Sequence, residues 1–351
     1  MGFFSLDKKS RLGVDIGTAS IKVVELSKEA NRFTLLNYGM VELGAGQDKA
    51  QPSNHDIAMG IKAILQSAQI KTKDVVASIP SFPTFATTIT LPYLSEEEIA
   101  KAMPFEARKY VPVPLSEVQL DWAIVNVRKD QKGQIMPKTS ATTVDVFLVA
   151  VPKQEVARYQ AIMKEAELNL RALELENFAL IRSLIGNDLS PIVIINIGGR
   201  STSILIVENG FQRASHDYEI GGFEITKSIA KSLGISVARA EELKRSQGIK
   251  DVDTNTVRQA MSSLIDLMVL EVNKTIHNYE DQQKSKIAKI LLVGGLANMP
   301  DFQAYFSQKL GREVALGNPL ARAVVPPGVE RFRAELNSTF VVAVGLAMRE
   351  L

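Results

Sequence analysis

The residues best suited to chemistry form two similar runs far apart in the chain. One is Leu12-Gly13-Val14-Asp15-Ile16-Gly17-Thr18-Ala19-Ser20-Ile21-Lys22 and the other Val193-Ile194-Ile195-Asn196-Ile197-Gly198-Gly199-Arg200-Ser201-Thr202-Ser203. Each goes from an apolar stretch to a short polar residue, then Ile-Gly, then Thr or Ser, then back to a β-branched stretch. That is the pattern of a hairpin whose turn presents backbone N–H groups and hydroxyls. Glycine lets the backbone approach an anion and take positive φ, and successive N–H groups in such a turn make an anion-binding nest. Two such turns imply two similar lobes gripping one polyphosphate.

Asp15 closes the first strand at its turn. It can cap a backbone N–H, or hold Mg²⁺ through water, since that ion keeps most of its waters and is bound by one or two carboxylates plus phosphates. Thr18 and Ser20 can donate hydroxyls to phosphate oxygens. Lys22 is either an edge lysine facing solvent or a point charge on a β- or γ-phosphate. Asn196 stands where the second turn would match Asp15. Its amide gives no charge to a cation but can orient a water. Gly198, Gly199, Ser201 and Thr202 remain suited to phosphate, and Arg200 reads as exposed.

Three further groups join them. Gly294-Gly295 is either a strand-to-helix turn or a place where backbone meets a flat adenosine ring. Lys227, Glu241 and Lys244 follow Gly221-Gly222 on two helices; they are solvated helix charges, Glu241 and Lys244 being at favourable pair spacing, or contacts to base and ribose. Glu176, just past a strand end, can orient an attacking water. Glu174 alternates with it and leaves that choice open.

A duplicated framework has to position these side chains. Runs at 11–15, 20–27 and 32–42 read as strands, 44–54 as a polar loop, and 56–68 as a helix with Ile57, Ile61, Ile64 and Leu65 at helical spacing. A strand at 75–79 ends at a proline-rich break. From 82 to 168 the character changes: a strand at 84–91, then a helix opened by Ser95-Glu96-Glu97-Glu98, a capping box, running toward Lys109 and stopping before Pro112 and Pro114. Strands at 119–127 and 144–150 flank a polar loop at 128–143, and a helix covers 152–168. The block reads as a compact inserted α/β module, or else as a continuation of the first lobe. Beyond it lie a strand at 170–175, a helix at 178–184, the second turn, and a strand at 216–220. Helices at 224–233, 237–246 and 256–278 follow, then a strand at 287–293, a helix at 300–310, a break at Pro326-Pro327-Gly328, and a last helix at 340–348 around Gly345. The order of elements is an internal repeat of whole lobes. The implied partition is lobe 1 over 1–81 and 169–190, the module over 82–168, and lobe 2 core over 191–222 and 287–335. A helical nucleotide-contact subdomain spans 223–286, and a C-terminal helix at 336–351 returns to lobe 1.

Composition excludes several classes. A chain of 351 residues exceeds one usual core. Net charge is +2, which argues against a nucleic-acid binder. Cys is absent and the three His (His55, His216, His277) have no ligand spacing, which excludes a thiolate metal site and argues against zinc. No stretch is long and apolar enough to span a bilayer. Met1-Gly2-Phe3-Phe4-Ser5-Leu6 is too short for a signal peptide and reads as a frayed end, or as a weak contact with a membrane or partner.

The Asp15 turn, the Glu176 helix start, the Asn196 turn, the Gly294-Gly295 turn and the Gly345 helix occur in the order of the five cleft motifs of the actin/Hsp70/sugar-kinase superfamily, which the chain resembles over nearly its whole length. Within it, "GVDIGTASIKVVEL", "EEEIAKAMPFEARKYVPVP" and "EITKSIAKSLGISVARAEELKRSQG" resemble the PilM family of type IV pilus assembly and its relative FtsA. The resemblance implies an α/β, actin-like two-lobed ATPase fold, with duplicated ribonuclease-H-like lobes and an FtsA/PilM-type inserted subdomain. It implies ATP with Mg²⁺ in the interlobe cleft, at most slow hydrolysis, and a cytoplasmic protein peripheral to the inner membrane. It also implies a partner, the N-terminal cytoplasmic segment of PilN, in a groove beside the inserted module, with further pilus platform proteins or a second copy as other partners. FtsA carries a membrane helix after a linker, whereas this chain stops just after the Gly345 helix. Three functions stand open: a nucleotide-dependent scaffold, an ATPase or small-molecule kinase, and a filament-forming, FtsA-like cytoskeletal protein. Asn196, in place of the usual Asp, weighs against phosphotransfer.

Overall fold

The computed structural model describes residues 10–29, 32–44, 52–81, 84–92, 94–127, 143–250 and 256–350. The expectations for residues 1–6, and for most of the loops at 44–54 and 128–143, fall outside these. The chain forms two compact units, Pro80–Ala161 and the remainder, Met1–Ile79 with Ile162–Leu351.

The larger unit begins with an antiparallel meander of β1 (Ser10–Ile16), β2 (Ser20–Glu29) and β3 (Arg32–Glu42). The apolar side chains along the middle of β1 and β2 are buried, with Leu12, Val14, Ile21, Val23 and Val24 fully so, and Leu35 of β3 joins them while Leu36 faces outward. Parallel pairing needs a crossover. It is made by α1 (Asn54–Ser67), which returns the chain to β4 (Asp74–Ile79) beside β1. The start of α1 is a capping box: Ser53 N–H donates to Asp56 Oδ2 at 2.9 Å and Asp56 N–H to Ser53 Oγ at 3.1 Å.

The smaller unit holds β5 (Phe85–Pro92), α2 (Glu96–Ala107), β6 (Val118–Val127), β7 (Thr143–Pro152) and the first part of α3 (Lys153–Glu165). Its strands form an antiparallel sheet in the order β5-β7-β6. Ile99, Met103 and Ala107 of α2 bury against Ile89, Val146 and Leu148. The predicted capping box forms, Ser95 N–H donating to Glu98 Oε2 at 2.7 Å.

The larger unit resumes with β8 (Asn169–Leu175), parallel to β4, and α4 (Glu176–Leu184). A second meander follows: β9 (Ile192–Ile197), β10 (Thr202–Glu208) and β11 (Phe211–Tyr218). Then come α5 (Gly222–Leu233), α6 (Val237–Gln247), α7 (Thr256–Gln283), β12 (Lys289–Gly294) and α8 (Phe302–Leu310). The chain closes with β13 (Ala315–Leu316), β14 (Ala323–Val324), α9 (Arg333–Thr339) and α10 (Val341–Ala347).

Most element boundaries lie near the predicted ones. The strand expected at 216–220 instead covers Phe211–Tyr218, because Asn209 and Gly210, at φ 57° and 78°, turn the chain directly from β10 into β11.

The two sheets share one plan. Five strands of the first run β3-β2-β1-β4-β8, with β14 added outside β3, and the second runs β11-β10-β9-β12-β13. In both, the meander is antiparallel and the next two strands are parallel. The equivalent helices α4 and α10 pack on each other. A Cβ on Gly345 would lie 2.6 Å from the Ala179 carbonyl carbon and nearer still to its oxygen. On its other side α10 presses on β1, where a Cβ on Gly13 would lie 2.6 Å from Ala347 N.

Candidate functional site

The first turn links β1 to β2 with Asp15 opposite Lys22 and Ile16 opposite Ile21. Gly17 N–H closes it on Ser20 O at 3.0 Å. Asp15, 8% exposed, accepts from Ser78 Oγ at 2.9 Å and from Lys22 Nζ at 3.2 Å. Lys22 is therefore not a free edge lysine: its side chain is largely buried, and its ammonium sits under the turn, 3.7 Å from where a Gly17 Cβ would be. Thr18 is exposed and Ser20 buried.

The second turn repeats this geometry residue for residue. Asn196 pairs with Ser203, and Gly198 N–H closes on Ser201 O at 2.9 Å. Asn196 is half-buried, while Arg200 and Ser201 are exposed. The two turns meet: a Cβ on Gly199 would fall 2.8 Å from the Ala19 Cβ and 3.1 Å from Thr18 Oγ1. Any side chain there would occupy the space between them. Thr202 is a correction. It is fully buried and its hydroxyl donates to Ile220 O at 2.7 Å, so it anchors the chain just past β11.

The start of α5 docks on the second turn. Gly222 N–H donates to Gly198 O at 2.9 Å and Phe223 N–H to Gly199 O at 2.8 Å. A Cβ on Gly221 would lie 2.6 Å from Gly199 O, so only glycine permits this approach. Gly222 O in turn accepts from Lys244 Nζ at 3.2 Å. Lys244 is buried, pairs with Glu241 at 2.6 Å and bonds Thr226 Oγ1 at 2.8 Å. Burial draws its pKa down, opposed by Glu241. Burial would raise Glu241, but Lys244, Thr226 and Arg245 together hold it below its usual value. Lys227 is not gathered with this pair; it is exposed and bonds Glu224 at 3.2 Å.

Gly294, at φ 94°, ends β12 against the second turn, opposite Ile197. A Cβ there would lie 2.7 Å from the Ile197 carbonyl carbon, whereas one on Gly295 would meet nothing within 4 Å. The pair thus gives tight backbone contact on one side and an open face on the other. Glu174 and Glu176 separate. Glu174 is buried, bonded by Arg182 and by Arg349 at 3.3 Å, and Arg182 also donates to Gly345 O at 2.8 Å. It is committed to joining β8, α4 and α10. Glu176 opens α4 half-buried, directly after the β8 end that pairs with Ile79.

The donor set fits a polyphosphate: two facing turns of glycine and hydroxyl residues, with a lysine beneath one. It does not fit a metal site built by protein alone. Among the described residues no group of three or more His, Asp or Glu could hold an ion, and Asp15 is already shared between Ser78 and Lys22. Nor, among the described residues, is any helix long and apolar enough to cross a membrane.

A family model described as Type IV pilus assembly protein PilM matches residues 13–351. The chain belongs to the PilM family. Among curated proteins, cell division protein FtsA of Enterococcus faecalis (strain ATCC 700802 / V583) is 20% identical to this PilM-family chain over 388 residues, covering 95% of the chain and 85% of FtsA. Among solved structures, a PilM-PilN type IV pilus biogenesis complex matches with TM-score 0.82 and 23% identity, over 97% of this chain and 98% of that one. MreB5 of Spiroplasma citri bound to AMPPNP matches with TM-score 0.51 and 13% identity, over 97% and 95% of the two chains. The fold is actin-like, and the paired sheets and crossing helices described above are its two lobes and their junction.

Proposed function

We propose that this PilM-family protein is a cytoplasmic, ATP-binding scaffold of the type IV pilus inner-membrane platform. It holds the N-terminal cytoplasmic segment of PilN, and nucleotide state alters that hold. The observation that carries the reading is the meeting of two matched turns at Gly199 and Thr18-Ala19. When bound, the nucleotide supplies an anionic bridge between lobes. Gly17, Thr18, Ser20 and Lys22 contact it from one side and Gly198, Gly199 and Ser201 from the other. Glu241 and Lys244 contact the ribose and base, Gly294 and Gly295 lie along the ring, and Glu176 orients a water. Asp15 holds Mg²⁺ through water. MreB5 was solved with AMPPNP, and the PilM in the matching complex was solved with PilN. Both support the reading by likeness of fold and family.

The test is calorimetric titration of a synthetic peptide of the PilN N-terminal segment into the full chain, with and without Mg-ATP. Affinities differing fivefold or more are expected. Equal affinities remove the switch, and no binding in either condition removes the partner.

A second prediction concerns Asn196. Asn196→Asp places a second carboxylate at the turns and is expected to steepen the dependence of ATP affinity on Mg²⁺ concentration, because hard cations favour carboxylate oxygen. If a Mg²⁺ titration of both proteins gives the same curve, the second turn is not near the cation.

A further inference from the structure

Resting on the nucleotide reading, we infer that Arg245 and Glu42 are the positioning pair that holds the two lobes together at the cleft. Arg245 lies one residue past Lys244 on α6, in the second lobe. Its Nη2 donates to Glu42 Oε1 at 2.9 Å, and Glu42 ends β3 in the first lobe. Glu42 is registered opposite Ser20, and the next residue, Leu43, donates its N–H to Ala19 O at 2.9 Å. The glutamate is therefore fixed to the first turn. Arg245 Nε meanwhile donates to Glu241 Oε1 at 2.8 Å, and Glu241 Oε2 accepts from Lys244 at 2.6 Å.

The result is a run of polar bonds that a steric contact completes into a circuit. From the second turn it runs through Gly222 to Lys244, Glu241 and Arg245, then across to Glu42 and the first turn. It closes where Gly199 meets Thr18 and Ala19. Glu241 and Lys244 are the groups assigned to ribose and base, so the interlobe bond ties the first turn to the helix that carries them. The Arg245–Glu42 bond is at the rim, with side chains 63% and 56% exposed. An exposed pair contributes little alone. Here it joins bodies that a ligand must hold at one separation, so its strength enters the release rate.

The experiment uses the full chain and a fluorescent ATP analogue. Glu42→Gln leaves the Arg245–Glu241 bond intact and is expected to speed nucleotide release about threefold, the scale of an exposed ion pair. Arg245→Gln should do at least as much. The double variant should release no faster than Arg245→Gln alone, because the two residues act as one unit. Thermal midpoints should stay at the wild-type value, which separates positioning from loss of fold. Because Cys is absent, spin labels at Met59→Cys and Lys231→Cys report lobe separation without nucleotide. Glu42→Gln should broaden that distance distribution. If ATP does not bind the wild type but the distances still broaden, the nucleotide reading fails and the pair stands. Additive effects on release, or unchanged release with unchanged distances, overturn the pair.

Discussion

Gly345→Ala is expected to lower the thermal midpoint, although the same change in an open helix would raise it. Alanine exceeds glycine in helix propensity by about 1 kcal/mol, so propensity alone predicts stabilisation. The surroundings of Gly345 reverse the sign. A Cβ there would lie 2.6 Å from the Ala179 carbonyl carbon and 2.9 Å from its Cα. These are backbone atoms of α4 and cannot rotate away. Nor can α10 retreat, since every residue from Val341 to Ala347 is buried and Gly13 of β1 already touches its far side. Moving it would also break the Arg182 bond to Gly345 O and disturb the buried Glu174 carboxylate. Overpacking of this kind costs about 1–3 kcal/mol, which in a chain of this size lowers the midpoint by roughly 2–4 °C. Gly328→Ala is the control. A Cβ there meets nothing within 4 Å and φ is not positive, so the midpoint should barely move. Calorimetry of the three proteins decides it: an unchanged or raised midpoint for Gly345→Ala would mean the helices do not cross this closely.

How much of this was readable beforehand depends on whether a feature is local. The turns were legible because Asp15 to Lys22 and Asn196 to Ser203 are the same length with glycine at the same place, and length and glycine set the hairpin. The Ser95 box was legible because cap and partner are three residues apart. The Ser53–Asp56 box and the Asn209-Gly210 hairpin turn carry signals as local, and the loop reading at 44–54 and the strand reading at 216–220 pass over them. The rest is tertiary. Lys244 and Lys227 look alike in sequence, each with a glutamate three residues before it, yet one is buried beneath α5 and the other is exposed. Glu174 and Glu176 could not be told apart until Arg349, from the far end of the chain, was seen on the first. Thr202 reads as a phosphate hydroxyl by its place in the run. Only the return of the chain at Ile220 shows its oxygen to be engaged. The Arg245–Glu42 bond has no sequence trace.

The second large effect is expected from Lys22→Ala, which should weaken ATP binding on the order of a hundredfold. A charge-assisted hydrogen bond contributes about 1.5–3 kcal/mol, and losing the ammonium removes at least one. The turn adds a second loss. Lys22 is the cation beside Asp15, whose carboxylate is 8% exposed and otherwise accepts from Ser78. Without the lysine, that carboxylate stands with its charge uncompensated where the phosphates must come, so the variant presents repulsion as well as a missing donor. Asp15→Ala separates the two contributions. It frees Lys22 for phosphate but deletes the group proposed to hold a magnesium water, so its loss of affinity should appear with Mg²⁺ and shrink or vanish in EDTA. The Lys22→Ala loss should persist in both conditions. Equilibrium titration of ATP into the three proteins, with and without Mg²⁺, reads all of this. Wild-type affinity in both variants would remove the nucleotide from the first turn. A metal-independent loss in Asp15→Ala would leave the nucleotide there and take the cation away from Asp15.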